Sequence, residues 1–221
     1  MNFTSVGIQR SGTNYVQSFF EKQGFKHISK SPGNLFDLPF YAWKHWTDPQ
    51  RFVKDVGHKH LTIVVSKHPL KWLESILRNP ADISFMYPAV QYGANRVHCP
   101  HGWRLQRFSH LSVDSLLNHY NTFYSNWHNT QLFNNFYTVR YEDMLDIDFV
   151  NEFVEGVCYD HNHPFTKLHA KPKDVSMSAG GRSEEYLQTY KSIEHNLPEK
   201  FVDVAKSKLS TSLLEKLGYT L

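Results

Sequence analysis

Four short stretches of the chain hold side chains able to bind or move a negatively charged group. The first is Arg10-Ser11-Gly12-Thr13-Asn14-Tyr15, which sets a cation, two hydroxyls and a glycine between an apolar run and an amphipathic one. The others are Lys44-His45, Lys67 with Ser75, and Tyr141-Glu142-Asp143. A strand-to-helix turn at the first stretch leaves the leading N–H groups of the helix unpaired and aimed at the loop, where the helix dipole also favours an anion. Arg10, Ser11 and Thr13 would add side-chain donors; the plainer alternative is an ordinary turn capped by a hydroxyl. A Walker A loop would need Lys at position 13, where Thr13 stands.

The elements that must position these groups follow from periodicity. Asn2 to Ile8, with Phe3, Thr4, Val6 and Ile8, has the β-branched and aromatic content of a strand. Tyr15, Val16, Phe19 and Phe20 then share one helical face opposite Asn14, Gln17, Ser18, Glu21 and Lys22, and Gly24 ends the helix. Phe40 to Trp46 predicts a short second strand carrying Lys44 and His45 at its C-terminal end, and Pro49 to Gly57 predicts a short helix. Leu61 to Ser66 is a continuous apolar strand, followed from Pro69 by a helix that faces inward through Leu70, Leu73, Ile76 and Leu77. Residues 79–111 lose periodicity and gather Pro, Gly, aromatic and basic residues, which reads as a substrate-facing lid. A helical stripe from Val113 to Trp127, a strand over Phe136 to Tyr141, a helix over Ile147 to Glu155, an irregular stretch from Cys158 to Lys173 and a last helix opened by Pro198 complete the pattern. Strands alternating with helices predict an α/β three-layer sandwich with a central parallel sheet and helices on both faces. Ligands in such sheets lie beyond the strand C-termini, where Arg10, His45, Lys67 and Tyr141 all fall.

Arg10-Ser11-Gly12-Thr13-Asn14, then the apolar strand running into Lys67-His68-Pro69 with Ser75 beyond it, then Tyr137-Thr138-Val139-Arg140-Tyr141-Glu142-Asp143-Met144 resemble, in this order, the sulfotransferase family. Its loops read Arg/Lys-Ser-Gly-Thr-Thr, Arg-x-Pro with a later Ser, and Tyr-Glu-Asp-Leu/Met. The resemblance implies a P-loop nucleotide-kinase-like fold, with 1–221 as a single domain. It also implies 3′-phosphoadenosine-5′-phosphosulfate (PAPS) as cosubstrate and 3′,5′-diphosphoadenosine (PAP) as product. By position it assigns Arg10, Ser11, Gly12, Thr13 and Asn14 to the 5′-phosphosulfate, Lys67 and Ser75 to the 3′-phosphate, and Tyr15 and Tyr141 to the adenine. Arg182, after Gly180-Gly181, stands in for a late Gly-rich basic segment of the family. Such a donor calls for two basic sites set apart by the length of an adenosine. The chain departs from the pattern at Lys67, which keeps the charge of the usual Arg but loses its bidentate fork, and at Asn14, where Thr is usual.

Sulfuryl transfer to a hydroxyl needs a base and a cation. The resemblance implies His45 as the candidate base, because the family has a Lys-Thr-His at the end of its second strand and Lys44-His45 stands at the comparable place; a neutral imidazole of pKa about 6.5 accepts a proton near neutrality. Arg10 and Lys44 would neutralise charge growing on the bridging oxygen. Glu21 and Glu74 are rival bases, and the mechanism requires no metal. Two alternatives stay open. One is a P-loop-type nucleoside or nucleotide kinase, against which the missing Gly-Lys-Ser/Thr counts; the other is a non-catalytic nucleotide-binding module.

Composition sets the outer limits. With 221 residues and 40% hydrophobic content the chain can bury one sizeable core. A net charge of +3 suits an anionic ligand and falls short of a nucleic-acid-binding surface. Two Cys make no disulfide framework, the N-terminus lacks a signal-type apolar run, and no segment approaches the roughly 18 apolar residues that span a bilayer. The expectation is a cytoplasmic protein acting on a small-molecule or carbohydrate hydroxyl acceptor. His98, Cys99 and His101, with Cys158, His161 and His163, have the residue types of a zinc site in a spacing that matches no standard finger; chance neighbours in irregular segments are the alternative.

Overall fold

A computed structural model describes residues 1–28, 45, 47–78, 113–129, 132, 134–169 and 194–221. The expected lid at 79–111, the strand residues 40–44, Lys44 itself and Arg182 lie outside the described residues. The described elements are β1 (Asn2–Val6), α1 (Thr13–Lys22), β2 (Lys26–His27), α2 (Pro49–Val56), β3 (Leu61–Ser66), α3 (Pro69–Arg78), α4 (Val113–His128), β4 (Phe136–Arg140), a 3₁₀ turn (Asp143–Leu145), α5 (Ile147–Asp160), α6 (Glu199–Lys208) and α7 (Thr211–Leu217).

The four described strands form one all-parallel sheet in the order β2-β1-β3-β4. Both faces are covered. Phe3, Leu61, Ile63, Val65 and Val139 pack with Tyr15, Val16, Phe19 and Phe20 of α1 and with Val150, Val154 and Val157 of α5. Val6 and Val64, on the opposite pleat, pack with Phe52 of α2, Leu73 and Ile76 of α3, and Leu117, Tyr120, Tyr124 and Trp127 of α4. Alternation along β1 and β3 thus distributes side chains to two cores, and every residue of β3 is buried. From β1 the chain steps to β2 in one direction and to β3 in the other, with α1 on one face and α2 on the opposite one. A fixed crossover hand requires that reversal of face, and it marks the crevice between the C-terminal ends of β1 and β3 as the switch point where ligands bind.

Local chemistry fixes the element ends. Asp48 accepts from the backbone N–H groups of Gln50 and Arg51 at 3.0 and 3.3 Å ahead of Pro49, the expected start of α2. Gly24, at φ 85°, closes α1: its N–H bonds Glu21 O and the Phe25 N–H bonds Phe20 O, the paired bonds of a Schellman turn. The same pair recurs at Gly218 after α7.

Several expectations are corrected. β1 stops at Val6, because the Ile8 carbonyl accepts from Ser11 N in the turn. A strand sits at Lys26–His27, only two residues on the sheet edge, and His45 lies in a turn. α5 runs on to Asp160, so Cys158 is a buried helical residue. The last helix is two, broken at Leu209, after which Ser210 accepts from Leu213 N to cap α7. Asp146 caps the helix after β4. No described helix is long and apolar enough to cross a membrane.

One buried polar contact makes stability sensitive to pH. The Thr4 hydroxyl donates to Ile28 O, so at its 3.0 Å contact with His60 it must accept from Nε2–H. Burial pushes His60 down to about 4, and the folded ring is neutral. Between pH 6.5 and 4 the unfolded chain therefore binds a proton that the folded chain does not, and stability falls as pH falls through that window. Denaturant titrations at pH 7 and pH 4.5 should show the wild type losing about 1–3 kcal/mol more than His60→Gln over the same interval.

Candidate functional site

The loop between β1 and α1 is bent by two left-handed residues, Arg10 at φ 67° and Gly12 at φ 95°. Glycine is obligatory at position 12 for a second reason, since a Cβ there would lie 2.1 Å from Cδ2 of Tyr141. At Gly7 a Cβ would meet Ser11 Oγ at 2.3 Å and the Val65 carbonyl at 2.6 Å. The loop is therefore pressed onto the ends of β3 and β4 at the switch point. Gly12 brings no side chain to cap α1, so the positive end of the helix dipole faces the loop. Ser11 Oγ is buried beside the Tyr124 hydroxyl, which donates to Val65 O at 2.9 Å.

The cations converge here. Arg10 Nε donates to Ser75 Oγ at 3.3 Å, and Lys67 Nζ donates to the Arg10 carbonyl at 3.3 Å. Lys67 is 2% exposed and lies with Nζ 5.2 Å from the centre of the Tyr141 ring. A buried ammonium is stable only when its surroundings replace water, and the neighbouring Glu142 helps. Its carboxylate accepts from His68 N and from the Tyr219 hydroxyl, both at 2.9 Å. Burial raises the Glu142 carboxyl above the usual carboxylate range, against the pull of these hydrogen bonds and of Lys67. Asp143 instead holds Arg140 in a two-point pair at 2.7 and 2.6 Å.

His45 joins the same loop: its Nδ1 lies 2.5 Å from the Gly7 carbonyl. A carbonyl only accepts, so Nδ1 carries the proton and Nε2 bears the lone pair of the neutral ring. No family model, no curated protein and no solved structure matches the chain. The reading of this cluster therefore rests on its own geometry.

Of the residues singled out from sequence, Arg10, Ser11, Gly12, Thr13, Lys67, Ser75, Tyr141 and His45 come together at the crevice. Asn14 is exposed on the first turn of α1. Tyr15 and Tyr141 are 5% and 4% exposed and meet edge to face at 5.8 Å, so in this conformation the two rings pack on each other. The two basic sites, expected an adenosine's length apart, touch here: Arg10 Nε lies 3.3 Å from Ser75 Oγ and the Arg10 carbonyl 3.3 Å from Lys67 Nζ. Of the rival bases, Glu21 is exposed and accepts from Gln17, and Glu74, buried on α3, accepts from the Asn196 backbone and side chain at 3.3 and 3.4 Å. Of the zinc-type residues, Cys158 is buried in α5, its thiol pushed up by burial, and His163 stacks on Phe25 at 4.1 Å. Among the described residues no three such ligands form a cluster, and His98, Cys99 and His101 lie outside them.

Sequence reasoning missed the supports beneath the site. Trp72 Nε1 donates to Gln9 O at 2.8 Å and Tyr120 OH to Lys67 O at 2.8 Å. Tyr120 falls on a stripe that pattern marks as core while Trp72 lies off the inward set named for α3, and only their polar tips, which a buried Trp or Tyr must satisfy, signal a further role. The Gly12–Tyr141 contact yields a direct test. Gly12→Ala should cost about 2–4 kcal/mol, combining left-handed strain with overpacking, and Tyr141→Ala in the same chain should relieve the packing part while leaving about 1–2 kcal/mol. Chemical denaturation of the two single variants and the double variant measures both parts.

Proposed function

We propose that the protein is a sulfotransferase of P-loop-like fold that moves a sulfuryl group from PAPS to a hydroxyl acceptor, a small molecule or carbohydrate, in the cytoplasm. The observation that carries this reading is the contact of Arg10 with Ser75, which joins the loop after β1 to the helix after β3 over a buried Lys67. Such a cluster suits a ligand with anionic groups on both sides of the crevice. The fit is supported by the buried Ser11 hydroxyl in the loop and by Gly7 and Gly12, which leave no room for a Cβ.

In the reaction the acceptor oxygen bonds to sulfur as the bond from sulfur to the 5′-phosphate oxygen breaks. The departing oxygen gains negative charge, which the Arg10 guanidinium and the N-terminus of α1 are placed to stabilise; a single such donor contributes a few kcal/mol in comparable sites. The acceptor proton passes to Nε2 of His45, and the Gly7 carbonyl, accepting from Nδ1–H, favours the imidazolium that results. The donor supplies the activated sulfur, and no metal is called for in these steps.

Binding and transfer are separable by experiment. PAP without magnesium should raise the thermal midpoint, by an amount equivalent to about 2.7 kcal/mol at a hundredfold excess over Kd, and ATP with magnesium should not. Arg10→Ala should weaken PAP at least a hundredfold, whereas His45→Ala should keep PAP affinity and lose at least a hundredfold in turnover. Stabilisation by magnesium-ATP alone would favour a kinase. PAP binding without turnover of any acceptor would leave a binding module, and full turnover in His45→Ala would remove the base.

A further inference from the structure

We infer that Gly218, Tyr219 and Thr220 form an acid-released latch on the ends of β3 and β4, held shut by the neutral His68 ring and let go when that ring takes a second proton. The inference goes beyond the proposed function and needs no ligand, since it concerns how the chain after α7 is tied to the sheet.

The latch is fastened at three successive residues. Gly218, left-handed at φ 73°, ends α7, and its carbonyl accepts from Arg140 Nη1 at 2.7 Å. The Tyr219 hydroxyl donates to Glu142 at 2.9 Å and lies 3.1 Å from Ser66 Oγ. Thr220 adds the third tie, with its carbonyl 3.0 Å from His68 Nε2. Beyond the turn at Gly218 the chain has no regular secondary structure, so its position rests on such ties and on the packing of the Tyr219 ring.

The His68 tie is the one that a proton can undo. A carbonyl only accepts, so Nε2 carries the hydrogen and Nδ1 bears the lone pair of the neutral ring. His68 is 1% exposed, and Nδ1 is buried with no hydrogen-bond partner among the described residues. The Tyr219 ring packs edge-on against the imidazole, with centroids 5.4 Å apart, so the latch covers the ring that holds it. A second proton would place a positive charge and an N–H without an acceptor in that space. The charged groups around it sit on several elements. Lys71 on α3 and His195 before α6 oppose a positive ring, Glu142 accepts from the His68 N–H at 2.9 Å, and Arg140 lies 5.9 Å from the centre of the Tyr219 ring. Burial holds His68 below its ordinary value against the pull of the Thr220 carbonyl, and His195 and Lys71 push the same way as burial.

The sign follows from which state takes the proton. With the latch open, water reaches the imidazole, whose ordinary pKa is about 6.5. As pH falls below that value the open form binds a proton that the closed form excludes, and opening becomes easier. Glu142 works in the opposite sense: burial raises its carboxyl, and an open latch would return water to it. The test therefore compares two proteins that share Glu142.

Amide exchange of Gly218 and Tyr219, whose N–H groups bond Glu215 O and Leu214 O, reports opening. His68→Gln keeps a donor near the place of Nε2 and cannot titrate. From pH 7.5 to 5.5, after correction for the intrinsic rate, exchange in the wild type should rise roughly five- to tenfold more than in His68→Gln. Equal responses overturn the inference, as does a rise of the same size at the amides of β3, which would signal general unfolding. Tyr219→Phe, which loses the hydroxyl ties but keeps His68, should exchange faster at every pH and retain the wild-type acid ratio. Loss of that ratio would put the titration on the Glu142–Tyr219 pair and overturn the inference, even where His68→Gln does not fold.

Discussion

The site exists because β1 and β3 lie side by side and parallel, matched at Phe3↔Leu61, Thr4↔Thr62, Ser5↔Ile63 and Val6↔Val64. Parallel pairing brings both strands to the same edge of the sheet, and this register decides how high each one stands there. β1 ends at Val6, while β3 continues through Val65 and Ser66 in pairing with Val139 and Arg140 of β4. The edge therefore has a step, and the β1–α1 loop folds across it. Gly7 meets the Val65 carbonyl on the riser and Gly12 meets the Tyr141 ring on the tread, which is why neither position has space for a side chain. Lys67 emerges where the loop passes over, under the carbonyl of Arg10. One extra pair between β1 and β3 would straighten the loop and separate these groups.

The step leaves backbone carbonyls that β1 is too short to satisfy, and α4 supplies the remedy. Tyr124 and Tyr120, one helical turn apart, donate to Val65 O at 2.9 Å and Lys67 O at 2.8 Å. Burial raises both phenols far above their usual range, so they remain protonated donors at any physiological pH. The Schellman turn at Gly218 does comparable work from the far end of the chain, turning Tyr219 back so that its hydroxyl meets Ser66 Oγ at 3.1 Å and donates to Glu142. Edges of the crevice are thus tied by hydroxyls on helices whose main business is core packing. The arrangement joins stability to function: a change at Tyr120 would loosen the strand end that carries Lys67, far from any ligand.

Local pattern made the layers legible. The α1 stripe of Tyr15, Val16, Phe19 and Phe20, the unbroken apolar run of β3, Pro69 at a helix start and the long α4 stripe each announce an element whose periodicity survives in the fold. β2 was illegible because two edge residues carry no period, and the break at Leu209 was masked by an apolar pattern that runs through it. At the site, the strand-helix alternation put Arg10 and Lys67 beyond strand C-termini, and the family resemblance added Ser75. What neither could convey is burial: nothing in Lys67-His68-Pro69 says that the ammonium is covered, or how close Glu142 will come to it. Those facts depend on the step in the sheet edge, a property of register between segments about sixty residues apart.

Register also bears on the choice of lysine at position 67. The partners of this side chain include one carbonyl, one ring face and the field of one carboxylate. A compact ammonium on a flexible stem suits that set. A guanidinium would bring five donors in a rigid fork to the same place, and each buried N–H left without an acceptor would cost about 1–3 kcal/mol. The surroundings thus suit an ammonium, and a planar fork at the crevice comes from a residue that reaches α3 from outside. Arg10 meets that condition because its left-handed backbone turns the loop toward Ser75. The two positions are coupled in this sense: the conformation that lets Arg10 extend across the crevice is the one that presents its carbonyl to Lys67.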